Sequence, residues 1–265
     1  MAKIGFIGMG NMGYAMLKGA LNVFDKDEII FCDANETRMN QVTEETGVRH
    51  AESNAECANS VKYLVLAVKP QFYDKVIKNI VNVVTSEHVI ISIAPGITIK
   101  YLVDELGFDS RIVRAMPNTP ALLGAGMTGI SYNPSLFTVT EKEVIEKFFS
   151  SFGKVRVVDE KLMSAVTCAS GSSPAYVYMF IEAMADSVVK YGIPRDAAYE
   201  MVAQTVMGSA KMVLETKEHP GRLKDNVCSP AGTTIAGVAA LEEYGFRNAI
   251  IKATDACYDR AENMK

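Results

Sequence analysis

The run Asn226-Val227-Cys228-Ser229-Pro230-Ala231-Gly232-Thr233-Thr234, inside residues 219–242, is the densest group of ligand-binding residue types in the chain. Small residues flank Pro230, Gly232 lets a ligand approach the backbone, and Thr233 and Thr234 add two hydroxyls where a helix is expected to begin. The first amides of a helix lack carbonyl partners and lie at the positive end of its dipole, so the chemistry of such a loop is capture of a carboxylate. An isolated Ser-Pro-x-Gly-Thr-Thr also describes an ordinary turn and N-cap. The remainder of the chain gives it weight.

A second group lies at the other end. Gly8-x-Gly10-x-x-Gly13 follows a short apolar run at residues 3–7 and precedes helical spacing at residues 14–21, the context of a dinucleotide fingerprint. Gly8 permits the tight turn, Gly10 lets a pyrophosphate touch the backbone, and Gly13 lets helix and strand pack closely. Asp33, twenty residues past Gly13, ends the next strand-like run, where a carboxylate accepts hydrogen bonds from the adenosine ribose of NADH and repels a 2′-phosphate. Asn35, Thr37 and Arg38 stand close enough to receive that phosphate if Asp33 turns away, so the choice between NADH and NADPH stays open. Asp33 is equally read as a solvated turn residue. Ala67-Val68-Lys69-Pro70 and Ser92-Ile93-Ala94-Pro95-Gly96 end two further strand-like runs and belong at the carboxyl edge of a sheet, where open α/β sheets bind ligands.

The elements needed to hold these groups follow from hydrophobic pattern. Strand-like runs occur at residues 3–7, 28–32, 63–68, 89–93, 111–115, 126–132 and 154–158, with helical segments between the earlier ones. Runs that are apolar without polar alternation imply a mostly parallel sheet covered on both faces. After about residue 160 the strand signal ends. Pro174 opens a long apolar segment to Tyr191 with Gly192 as its stop, and further helices are expected at residues 194–215, 232–243 and 246–263, with a loop over residues 217–230. The fold class is therefore α/β: a Rossmann-type doubly wound, mostly parallel sheet over residues 1–160, followed by an all-helical domain over residues 161–265. Apolar side chains occur almost all round the helix after Pro174, which favours a second chain as the cover.

With 265 residues, the chain has room for two cores. Its 27 basic and 31 acidic residues leave a net charge of −4 with no basic run, so neither nucleic acid nor a membrane surface is an expected partner. Cys32, Cys57, Cys168, Cys228 and Cys257 are odd in number and widely spaced, which fits reduced thiols in the cytoplasm. There is no signal-peptide pattern at the start and no apolar stretch of the roughly 18 to 20 residues that a membrane span requires. His50, His88 and His219 are scattered and have no metal-ligand spacing, so no metal is expected; surface or turn roles suit them better than acid/base catalysis.

The glycine fingerprint, Ala67-Val68-Lys69-Pro70, Arg114-Ala115-Met116-Pro117-Asn118-Thr119-Pro120 and Pro220-Gly221-Arg222-Leu223-Lys224-Asp225-Asn226-Val227 continuing into Ser229–Thr234 occur in one order. Together they resemble the pyrroline-5-carboxylate reductase family over essentially the whole chain. The resemblance implies reduction of the cyclic imine 1-pyrroline-5-carboxylate to L-proline by NADPH or NADH, the last step of proline biosynthesis. It also implies a helical dimerisation domain, an active site formed between two chains, and homodimers that assemble five at a time into decamers. Carried onto matching positions, the cofactor contacts would be Ile7, Gly8, Met9, Gly10, Asn11 and Met12, with Asn54, Ala67, Val68, Lys69, Pro70, Ser92, Ile93 and Ala94. The substrate would lie on Ser229, Gly232, Thr233 and Thr234, its carboxylate on the amides from Gly232 to Thr234 and its ring nitrogen on the Thr234 hydroxyl, the one catalytic contact implied.

The chain departs from the family pattern at Ser173, where the family commonly has glycine in Gly-Ser-Gly-Pro-Ala, and at Ala231, where it commonly has a second glycine. Lys217 stands where some members have an acidic residue and receives no role. Hydroxyacid dehydrogenases with the same domain order have a lysine and, four residues on, an asparagine at the start of their first C-terminal helix; residues 164–174 contain neither, which disfavours an alcohol substrate. A dinucleotide-binding sensor without turnover is the non-enzymatic alternative, and dinucleotide binding without substrate-dependent oxidation would mark it.

Overall fold

A computed structural model describes residues 3–107 and 111–263; the expected outer domain limits at residues 1 and 265 lie outside these. The chain divides into two compact units, Met1–Ser172 with Cys257–Lys265, and Ser173–Ala256.

In the first unit, β1 (Ile4–Ile7) turns through the glycines into α1 (Asn11–Ala20). There follow β2 (Ile29–Cys32), α2 (Glu36–Thr46), α3 (Asn54–Asn59), β3 (Tyr63–Leu66), α4 (Tyr73–Ile80), β4 (Val89–Ser92), α5 (Ile99–Leu106) and β5 (Arg111–Met116). Then come β6 (Gly126–Ser131), α6 (Val139–Ser150), β7 (Gly153–Val157) and the one-turn α7 (Met163–Val166). The sheet order is β2-β1-β3-β4-β5-β6-β7. Every pairing is parallel except β5 with β6, giving the mostly parallel, doubly wound sheet that unbroken apolar strands demand.

Strand side chains alternate between two buried layers. Ile4, Phe6, Phe31 and Val65 pack with Met16 and Leu17 of α1, Val42 of α2 and Phe148 and Phe149 of α6. Ile7, Ile30, Leu64, Leu66 and Ile90 pack on the other face with Cys57 of α3, Tyr73 and Ile77 of α4 and Leu102 of α5. Phe148 sits at the aromatic centre, its ring 5.1 Å from Phe149 and 5.4 Å from Phe152. Below this layer Thr138 and Glu141 cap α6 reciprocally, and the same Glu141 carboxylate pairs with Arg111 and, at 2.8 Å, with Lys62. One buried acid thus ties α6 to β5 and to the residue leading into β3.

The second unit contains α8 (Ser173–Val189), α9 (Arg195–Thr216), α10 (Pro220–Val227), α11 (Thr233–Glu243) and the larger part of α12 (Phe246–Glu262). Only Ala185, Ala198 and Val202 of this unit are buried, whereas Val177, Tyr178, Met179 and Met184 of α8 lie exposed. An apolar surface of this kind is the surface of an assembly.

One sequence expectation needs revision, and one segment holds turns that the sequence did not assign. The loop expected over residues 217–230 contains α10. It is short and polar, and it forms because Pro220 takes its first position and His219 Nδ1 accepts the Gly221 amide at 3.1 Å, cues that apolar periodicity does not register. Residues 163–171, to which the sequence assigned no element, form α7 and a π-helical turn, Thr167–Gly171, closed by Ser172 N–H donating to Thr167 O at 2.8 Å. Asn118 donates from Nδ2 to Ser170 O at 3.0 Å and accepts the Met127 amide at 2.9 Å, holding that turn against β6 from a distant part of the chain.

Candidate active site

At the carboxyl edge of β1, β2 and β3 lies a cleft of about 870 Å³ lined by Ile7, Gly8, Gly10, Asp33, Asn54, Ala67, Val68 and Lys69 among others. Gly8 has φ 104°, and a Cβ there would overlap Ala67 O; a Cβ on Gly13 would overlap Gly8 O. A Cβ on Gly10 would instead project into open space, so the backbone at Gly10 is bare toward the cleft. No side chain caps α1, whose N-cap is Gly10, and its first amides are thus available to an anion. A glycine-lined, uncapped helix terminus beside an open cleft of this size fits a nicotinamide dinucleotide.

The cleft does not gather every residue expected there. Met9 is fully buried, Gly13 serves helix packing, and Asn11, Met12 and Pro70 lie outside the lining. Ser92, Ile93 and Ala94 are also buried and outside it. Ser92 Oγ instead shares a hydrogen bond of 2.9 Å with the Tyr73 hydroxyl, which also donates to Leu66 O at 2.9 Å. Burial pushes the Tyr73 phenol well above its ordinary pKa. It is thus a neutral brace that sets the ends of β3 and β4, from which Ala67–Lys69 and Ser92–Ala94 emerge.

Sequence reasoning missed part of the lining: Glu36, Met39, His50, Glu52, Ser53, Phe72, Lys75, Val76 and Asn79. His50, expected in a surface or turn role, lies on the cleft wall with its ring tilted 57° to that of Phe31 at 6.0 Å, and shares a 3.0 Å hydrogen bond with Thr43. A bridge between Phe31 and His50 beside β2 brings it there, a pairing with no local signal. The remaining two histidines do occupy turns: His88 Nδ1 accepts the Thr85 amide at 3.0 Å, and His219 caps α10. Among the described residues no group of three or more His, Cys, Asp or Glu is placed to hold a metal.

In the second unit, Ser229 to Gly232 forms a tight turn in which Gly232 N–H donates to Ser229 O at 3.0 Å. Pro230 takes its second position and Ala231 its third, at φ 56°, a conformation that favours glycine. Gly232 is the N-cap of α11 and has no side-chain cap; a Cβ there would overlap Ser229 Oγ. The amides of Thr233, Thr234 and Ile235 therefore stand at an open helix N-terminus, with the half-buried Thr234 hydroxyl in the first turn. This arrangement suits a small carboxylate with a polar group one or two bonds away.

The fold and cleft define a dinucleotide-dependent oxidoreductase of the Rossmann class with a helical second unit. Residues 160–264 match the model of pyrroline-5-carboxylate reductase dimerisation, and residues 3–96 match that of NADP oxidoreductase, coenzyme F420-dependent. The chain belongs to the pyrroline-5-carboxylate reductase family. The Escherichia coli pyrroline-5-carboxylate reductase is 46% identical over 264 residues, which are 99% of this chain and 98% of that protein. The crystal structure of the Plasmodium falciparum pyrroline carboxylate reductase with NADP bound is 34% identical with a TM-score of 0.89, over 99% of this chain and 98% of that one. That of the Coxiella burnetii pyrroline-5-carboxylate reductase is 33% identical with a TM-score of 0.91, over 100% and 98%. Among the described residues no helix is long and apolar enough to cross a membrane.

Proposed function

We propose that this chain reduces 1-pyrroline-5-carboxylate to L-proline. NADPH or NADH, when bound, supplies the hydride that the imine carbon accepts, while the ring nitrogen keeps its proton and ends as a secondary amine. The chain's own residues bind and orient. Gly8, Gly10 and the first amides of α1 hold the dinucleotide phosphates, and Asp33, Asn54 and Ala67–Lys69 line the rest of its cleft. In the second unit Ser229 and Gly232 shape the turn, the amides of Thr233 and Thr234 take the substrate carboxylate, and the protonated imine donates its N–H to the Thr234 hydroxyl.

A protonated imine is already a strong hydride acceptor, so positioning rather than a strong acid is what the reaction requires. The observation that supports this reading is the uncapped first turn of α11, which presents carboxylate-binding amides and a threonine hydroxyl on one small patch. The proposed assembly is a homodimer, with five dimers forming a decamer. Its support is the exposed apolar surface of the second unit, together with the match of residues 160–264 to a dimerisation domain. Five free thiols suit the cytoplasm.

The test is the rate of NADPH and, separately, NADH oxidation by the purified chain with and without 1-pyrroline-5-carboxylate. Oxidation that depends on the imine is expected. A folded chain that binds dinucleotide yet oxidises neither would belong to another substrate, or to a sensor.

A further inference from the structure

Which dinucleotide the cleft prefers depends on what stands at the end of β2, because the 2′-phosphate that distinguishes NADPH from NADH hangs from the adenosine ribose. The sequence alone offered two answers: Asp33 facing the ribose, or Asp33 turned away with Asn35, Thr37 and Arg38 facing a phosphate. The side chains decide between them. Asp33 is held by both oxygens, Oδ2 accepting the Met9 amide at 2.6 Å and Oδ1 accepting the Asn35 amide at 2.9 Å. It is fixed at the cleft wall and is not free to swing out. Each carboxylate oxygen accepts more than one hydrogen bond, so Asp33 still has acceptor capacity for ribose hydroxyls.

Arg38 is committed elsewhere. Its Nε donates to Met9 O at 2.9 Å, one Nη donates to Gln41 Oε1 at 3.1 Å, and the guanidinium lies 4.6 Å from the centre of the Tyr14 ring. Gln41 in turn donates to Glu45 at 2.8 Å, and the Tyr14 hydroxyl donates to the same carboxylate, closing a ring of four side chains between α1 and α2. Arg38 is not part of the cleft lining, whereas Glu36 and Glu52 are. The lining cations, Lys69 and Lys75, come from the β3–α4 connection and α4, across β1 from the end of β2. Asn35 spends its side-chain oxygen on the Arg38 amide at 3.1 Å, so what it and Thr37 can offer a phosphate is a neutral amide and a hydroxyl, without charge to offset it. A phosphate on the ribose would thus meet the fixed Asp33 carboxylate, while the nearest cation, Arg38, is held on Met9, Gln41 and the Tyr14 ring.

We infer that the cleft selects NADH over NADPH, with Asp33 as the discriminating residue, Glu36 adding to its charge, and Arg38 acting as a positioning residue that holds the Met9 peptide of the phosphate loop. The inference rests on the reading of this cleft as a nicotinamide-dinucleotide site, but not on the identity of the imine.

The experiment is a fluorescence titration of the purified full chain with NADH and with NADPH, without imine, giving a Kd for each. NADH is expected to bind at least about tenfold more tightly, and equal or tighter binding of NADPH overturns the inference. Arg38→Ala is expected to weaken both dinucleotides together; a loss confined to NADPH would mean that Arg38 grips the 2′-phosphate, and would overturn it as well. Because binding is read directly, absence of imine-dependent oxidation alongside tighter NADH binding would fault the proposed reaction and leave this selectivity standing.

Discussion

Thr234 combines two tasks in the proposed site, an amide for the carboxylate and a hydroxyl for the ring nitrogen, and only the second depends on its side chain. Thr234→Ala is expected to lower kcat tenfold or more, about 1.4 kcal/mol of transition-state stabilisation, while dinucleotide binding in the first unit persists. A loss of less than about threefold would remove the hydroxyl from the mechanism. Ala231 tests the turn beneath it. At φ 56° its Cβ is strained, and a β-branched side chain would be strained more. Ala231→Gly should stay within about 0.5 kcal/mol of the parent in urea unfolding, relief of strain being offset by added freedom of the unfolded chain. Ala231→Val should lose about 1 to 2 kcal/mol. If valine were tolerated as well as glycine, the turn would not have this shape. The pattern Ser-Pro-x-Gly-Thr-Thr was legible as a helix-opening loop. The positive φ at a non-glycine residue was not, because it is imposed by the Gly232-to-Ser229 hydrogen bond.

Among the elements, α6 shows how a visible local motif acquires a non-local duty. Thr138-x-x-Glu141 is a capping box by spacing, but the Glu141 carboxylate is also buried against Arg111 and Lys62. Burial by itself would raise its pKa. Hydrogen bonds from Lys62 and Thr138 and the charge of Arg111 outweigh that and hold it at about 2, below its ordinary value of 4.5. A folded-state pKa below the unfolded one adds stability that is fully present above about pH 4.5 and disappears as pH falls toward 2. Glu141→Gln should therefore be less stable than the parent at pH 7, by about 3 kcal/mol for a broken buried pair. The gap should close across the acid range in melts taken at successive pH values. A gap independent of pH would mean that packing, not charge, accounts for the loss. The π-helical turn at Thr167–Gly171 had no such local motif. Its register is set by Asn118, which sequence reading placed in a family motif without a structural task.

For the whole molecule, the second unit cannot account for its own stability: three buried side chains are far too few to offset the ordering of its helices. Its apolar residues must be covered by another copy of the chain, the homo-oligomer that the dimerisation match also indicates. Met179→Glu, which puts a charge on the exposed face of α8, is expected to shift the chain to a smaller species by size-exclusion chromatography with light scattering. The melting temperature should fall and dinucleotide affinity hold. An unchanged oligomer would place the interface on other residues.

The sequence by itself determined the order and type of the long elements, the glycine turn between β1 and α1, and the opening of α11. These depend on hydrophobic period, glycine and proline, whose effects are local. Only the tertiary structure decided which residues meet. It brought His50 to the cleft through a bridge to β2, fixed Asp33 by two amides, drew Arg38 away onto Tyr14, and put Glu141 between two cations. Those outcomes depend on contacts between residues far apart in the chain, and a single sequence has no period or spacing that records them.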